Sequence, residues 1–192
     1  MGQPTRLTRS TLTTRPPTTS IHRVAHRIGA VPELAGTRNQ RGTTMSSTSH
    51  TLHLTARGTD EASGWYQKAF GAEELTRLVV PDGRLIHVQL RIGTLTLMLA
   101  DEFPELKSFG PQHYDGTYSA IYLHVDDVTA AWQQAVHAGA TVIRPLNDTY
   151  WGQREGQLLD PFGHRWGLTQ HLRDVPLPEL QELTTQAFTQ HR

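Results

Sequence analysis

Four residues of this chain have side chains that suit a divalent metal and fall at strand-like positions: His53, His87, His124 and Glu155. Two imidazoles and a carboxylate are an acceptable set for zinc, nickel or iron. The same His87 and Glu155 also have the chemistry of an acid–base pair working on a proton beside a carbonyl. Around them stand groups better suited to holding an organic molecule. Thr51, Gln89 and Tyr122 offer hydrogen bonds, Arg91 and Arg165 favour an anion, and the Trp151 indole can stack on a flat or cationic ligand. With no cysteine among the 192 residues, thiolate nucleophiles, disulfides and Cys-based metal centres are excluded. The carboxylate pairs Asp101-Glu102 and Asp126-Asp127 fall at a strand end and at a helix N-cap position, so their expected role is structural. His164 alternates with Trp166 and is expected to pack.

The elements that must position these groups occur twice. A strand over Thr51–Arg57 leads to a helix over Thr59–Phe70, which Gly71 stops, and then to strands Glu73–Val80, Arg84–Ile92 and Thr94–Ala100. Pro81-Asp82-Gly83 turns the chain between the first two of these strands. The second round runs through strand Tyr118–Val125, helix Val128–Ala138 with Gly139 as its stop, and strands Thr141–Arg144, Glu155–Leu159 and His164–Gln170. Asp160-Pro161-Phe162-Gly163 makes the last turn. A repeat near 70 residues is too long for a solenoid unit and too short for two domains, so two halves must share one core. Alternation assigns the faces. Ile86, Val88, Leu90 and Ile92 turn to the helices, while His87, Gln89 and Arg91 turn away. Likewise Leu52 and Leu54 oppose Thr51, His53 and Thr55, and Ile121 and Leu123 oppose Ala120, Tyr122 and His124. Trp166 and Leu168 oppose Arg165, Gly167 and Thr169. Phe103–Asp115 joins the halves and is expected to be a mobile loop.

Trp65-Tyr66-Gln67-Lys68-Ala69-Phe70-Gly71-Ala72, Met98-Leu99-Ala100-Asp101, Val125-Asp126-Asp127-Val128, Trp151-Gly152-Gln153-Arg154 and Asp160-Pro161-Phe162-Gly163-His164-Arg165-Trp166, in this order, resemble the vicinal oxygen chelate family of glyoxalases, bleomycin-resistance proteins and dioxygenases. They look most like its PhnB-like, glyoxalase-related branch. The resemblance implies an α+β fold of two βαβββ modules, forming a curved mixed sheet around a cavity with the helices outside. It also implies a homodimer, in some members one that exchanges modules.

In metal-dependent relatives four ligands come from the first and last strand of each module. The positions here are Thr51, Met98, Ala120 and Gly167, none of them a normal metal ligand. A shift of one residue reaches only His50. The expectation is therefore a protein that binds a small organic molecule without a metal cofactor, its cavity walled by Thr51, His53, His87, Gln89, Arg91, Tyr122, Trp151 and Arg165. The alternative is a lyase, isomerase or dioxygenase with a divalent metal displaced onto His53, His87 and Glu155. A third reading is an interaction module with no ligand.

Formal charge balances at 18 basic and 18 acidic residues, yet residues 1–44 carry seven Arg against Glu33 alone, +6 offset by −6 in the rest. An acidic body gives no footprint for nucleic acid. No apolar run approaches the roughly 18 residues of a membrane helix, and the expected compartment is the cytoplasm. Residues 1–48 read as a disordered basic extension. One short amphipathic stretch lies within it (Ile21, Val24, Ala25, Ile28), and its Arg-rich composition also resembles a transit peptide. The preferred alternative is a start at Met45. Residues 49–172 form the domain, with modules 51–101 and 118–170, and 173–192 a tail with a surface helix over Glu179–Thr189.

Overall fold

The computed structural model describes residues 51–189; the expectations for residues 1–48 and His50 lie outside them. The first module runs β1 (Thr51–Ala56), α1 (Thr59–Phe70), β2 (Glu73–Val79), β3 (Leu85–Ile92) and β4 (Leu95–Asp101). The second runs β5 (Ala120–His124), α2 (Val128–His137), β6 (Thr141–Asp148), β7 (Gln153–Leu159) and β8 (Arg165–His171), and α3 (Leu177–Thr189) follows. Each module is a four-stranded mixed sheet, in the orders β1-β4-β3-β2 and β5-β8-β7-β6. The helix crossover makes the β1–β4 and β5–β8 pairs parallel, and the hairpins make the rest antiparallel. The expected duplicated βαβββ, α+β architecture is thus present. No helix among the described residues is long and apolar enough to cross a membrane.

Local chemistry explains the boundaries. Gly71 ends α1 in the left-handed conformation, φ 62°, and its N–H closes on Gln67 O. Asp127 caps α2, accepting from Ala130 N at 2.9 Å. Asp101 accepts from Thr59 N and Leu85 N at 2.9 and 2.6 Å, joining the start of α1 to the start of β3. Both carboxylates therefore serve structure, as their positions predict. Strand β6 extends four residues beyond the expected Arg144, through Pro145. It is the edge strand of its sheet, where a residue without an N–H is tolerated, and its register shifts between Arg144 and Asn147.

Alternation holds where it decides burial. Val88, Leu90, Leu97 and Leu99 are fully buried against Ala62, Tyr66 and Ala69 of α1, and Leu158, Trp166 and Leu168 join the same core with Val128 and Ala135 of α2. The two helices also hold each other. Trp65 Nε1 donates to Ala138 O at 2.8 Å, Gln134 Nε2 donates to Lys68 O at 2.7 Å, and the Phe70 ring of α1 meets Trp166 of β8 at 4.8 Å. One helix layer therefore serves both sheets from between them.

The segment Phe103–Asp115, expected as a mobile loop, consists of two 3-10 turns, Pro104–Leu106 and Pro111–His113, fastened along β1. Glu102 accepts from Arg57 and from Gly110 N, and Thr55 Oγ1 lies 3.2 Å from Ser108 Oγ. Its turns close on themselves through backbone hydrogen bonds such as Lys107 N to Pro104 O and Tyr114 N to Pro111 O.

Candidate functional site

On the first sheet the face turned from α1 carries most of the expected cavity residues. His53 pairs with Met98, which pairs in turn with Gln89. Thr51 and His53 are exposed, while His87 and Gln89 are half-buried. Partial desolvation against the sheet, and then the charge of His87, hold the surface-exposed His53 imidazole below its ordinary range. Arg91 is exposed and ion-paired with Glu73 of β2. The linker adds aromatic side chains that the sequence did not flag. Phe109, Tyr114 and Tyr118 line an open groove of about 470 Å³ with His53 and Thr55.

On the second sheet the face turned from α2 is organised around Tyr122. A Cβ added at Gly167 would lie 2.5 Å from the Tyr122 ring, so only glycine lets that ring lie flat on the sheet. The Tyr122 hydroxyl accepts from Gln157 Nε2 at 2.5 Å and from Arg144 Nη2 at 3.3 Å. Arg144 also lies 3.6 Å from Glu155, whose side chain is only 14% exposed. Gln157 and Arg144 are the functional-looking residues that sequence reasoning missed. The signal was there for Gln157, which alternates with Glu155 on β7. Arg165 shares this face, half-buried. Trp151 is 38% exposed on the turn before β7, its ring edge-on to Tyr150 at 4.7 Å.

These two faces do not meet within one chain. Because α1 and α2 lie between the sheets, the faces bearing His53 and Tyr122 look away from each other, and no strand of one sheet pairs with the other among the described residues. The trio His53, His87 and Glu155 is thereby divided, the histidines on the first sheet and the glutamate on the second. No group of three His, Asp or Glu side chains able to hold a metal occurs among the described residues. The family's metal positions fare no better. Thr51 stands exposed, Met98 and Ala120 offer no hard donor, and the Tyr122 ring covers Gly167. This donor set does not fit the divalent ion of the metal-dependent relatives.

His164 is a packing residue as expected, but inside an unexpected network. Asp160 is buried and its Oδ2 accepts from Tyr66 Oη at 2.6 Å and Trp166 Nε1 at 2.9 Å, with His164 Nδ1 at 3.3 Å. Its Oδ1 accepts from the Phe162 and His164 amides. Burial alone would raise the Asp160 carboxyl, but the hydrogen bond and charge of His164, with the donors of Tyr66 and Trp166, outweigh it and hold the group below the usual range. Burial first, and then Asp160, push the Tyr66 phenol well up.

The family model for the Glyoxalase/Bleomycin resistance protein/Dioxygenase superfamily matches residues 47–168. The chain belongs to that superfamily. An uncharacterized protein from Mycobacterium tuberculosis, strain H37Rv, is 42% identical over 156 residues, 78% of this chain and 92% of its own. Among solved structures, TioX from Micromonospora sp. ML1 is 28% identical, covering 66% of this chain and 100% of TioX at a TM-score of 0.54. TnmS3, an antibiotic binding protein from Streptomyces sp. CB03234, is 23% identical, covering 67% and 99% at a TM-score of 0.50, a likeness of fold. The glyoxalase-superfamily frame thus agrees with the module order, and the side chains on the two outer faces carry what is particular to this member.

Proposed function

We propose that this superfamily member binds a small organic molecule without a metal ion, in a cavity walled by the first-sheet face of one copy and the second-sheet face of another. The observation that carries this is Tyr122 lying over Gly167, which fills a metal-ligand position with an aromatic surface and a held hydroxyl. The wall then consists of Thr51, His53, His87, Gln89 and Arg91 from one copy, facing Tyr122, Trp151 and Arg165 from the other. Within the superfamily we place the chain in the PhnB-like branch, on the residue pattern around Trp65 and Asp160. Native mass spectrometry after exposure to zinc, nickel, iron and manganese tests the metal-free reading. The expected spectrum is that of the metal-free protein, and a stoichiometric, tightly held ion overturns it.

A second reading rests on His53 and His87 sharing one face of the first sheet. A shared site built from these rings and Glu155 of a second copy would support a metal-dependent lyase, isomerase or dioxygenase. It requires His53→Ala and His87→Ala to abolish metal uptake, and it fails if either variant takes up metal like the parent.

A further inference from the structure

Eight arginines fall among the described residues, and seven of them are ion-paired: Arg57, Arg77, Arg84, Arg91, Arg144, Arg154 and Arg173. Arg165 is the exception. It is half-buried, no carboxylate among the described residues reaches it, its Nε is sealed beneath the face without a hydrogen-bond partner, and its terminal nitrogens, left open at the surface, make no hydrogen bond with the described residues. A buried donor left unmet is costly; Thr59 Oγ1 is the other such atom among the described residues, but it carries no charge.

The surroundings of Arg165 point the same way. Register places it beside Ala120 on one neighbouring strand and Leu159 on the other, small and apolar residues that offer it no acceptor. Two residues along the same face is Gly167, over which the Tyr122 ring lies. The Tyr122 hydroxyl already accepts from Gln157 and Arg144, so its own proton is the one it has left to donate. Two donors on one face thus lack an acceptor, one of them charged and partly withdrawn from water, where a charge-assisted hydrogen bond is strongest.

We infer that Arg165, with the proton of Tyr122, forms an oxyanion subsite that takes the carboxylate or phosphonate of a small organic acid. The subsite rests on the cavity reading above and gives it a substrate class: the ligand carries its negative group toward the second sheet. The guanidinium fork suits either anion. Gly167 acts as a positioning residue, because any side chain there would lift Tyr122 off the face.

The test uses the full chain and three probes, benzoate, phenylphosphonate and the neutral isostere benzamide. Binding is followed by calorimetry and by the arginine Nε–H resonances in ¹H–¹⁵N spectra, with Arg165 assigned as the peak missing from Arg165→Lys. The expected result is that benzoate and phenylphosphonate bind and shift that resonance, benzamide binds at least about tenfold more weakly, and Arg165→Gln removes the preference for the anions. Arg154→Gln, on the opposite face, leaves binding unchanged. Equal affinity for benzoate and benzamide, or anion binding that survives Arg165→Gln, overturns the subsite while leaving a neutral-ligand cavity standing. Anion binding unchanged in Arg165→Gln with loss of the dimer assigns the arginine to a carboxylate of the second copy, and likewise overturns it. Absence of binding by all three probes overturns it too; the cavity reading then falls only if neutral organic compounds also fail to raise the melting temperature. If Arg165→Gln does not fold, the wild-type Nε–H shift and its absence with benzamide decide.

Discussion

At the scale of single residues, the Tyr122–Gly167 contact makes the sharpest demand. Gly167→Ala puts a methyl 2.5 Å from the ring, and overpacking of this kind costs about 1–3 kcal/mol. Urea denaturation is expected to show that loss, and Tyr122→Ala in the same chain is expected to recover most of it, a non-additivity that only contacting residues give. His53 supplies a pH dependence. Its folded pKa lies below the unfolded value of about 6.5, so the unfolded chain takes up the proton first as pH falls. Its contribution is intact above about pH 6.5 and lost as pH drops through the folded value. The urea midpoint of the wild type is expected to fall more steeply than that of His53→Gln between about pH 7 and 5; parallel curves would count against a depressed His53.

At the scale of elements, the two modules are joined by Asp160, which holds α1 through Tyr66 and β8 through Trp166. Tyr66→Phe removes one donor from a buried carboxylate and is expected to cost about 1–3 kcal/mol. Asp160→Ala strands three side-chain donors and should cost more, both read from denaturation midpoints. Because the Asp160 carboxyl is depressed, its contribution is present above the unfolded value near 3.9 and lost as pH falls below it, so the acid limb of Asp160→Asn should be shallower. None of this was legible in the sequence. Tyr66 and Asp160 are 94 residues apart, and periodicity reports only which face a residue occupies. The same limit explains β6, where Pro145 reads as a strand end but is accommodated because the strand lies at an edge. What periodicity does report, it reported well. Val88, Leu90, Leu97 and Leu99 are buried and Thr51, His53 and Arg91 exposed, as alternation requires. The candidate site was legible as two sets of outward-facing residues; that α1 and α2 set those faces apart was not, since helix-to-helix contact leaves no local pattern.

At the scale of the whole molecule, the proposed cavity draws its two half-walls from two copies, because they face opposite ways and a small ligand is held by surrounding it. The expected species in solution is a dimer of the 21.5 kDa chain, measurable by light scattering. Its arrangement gives a test that ordinary mutagenesis does not. His53→Ala damages only the first-sheet wall and Arg165→Gln only the second, so each variant dimer alone has both cavities spoiled. If each cavity draws one wall from each copy, a mixed dimer pairs the sound first wall of the Arg165→Gln chain with the sound second wall of the His53→Ala chain. One of its two cavities is then wild type. Equal mixing with free exchange makes half the dimers mixed, so about a quarter of all cavities should recover benzoate binding at wild-type affinity. Two complete cavities built within single chains would instead give no recovery on mixing, since every chain would carry its own defect. Stoichiometry from calorimetry separates the outcomes, because recovered sites appear as a new fraction with wild-type affinity and not as a uniform weakening.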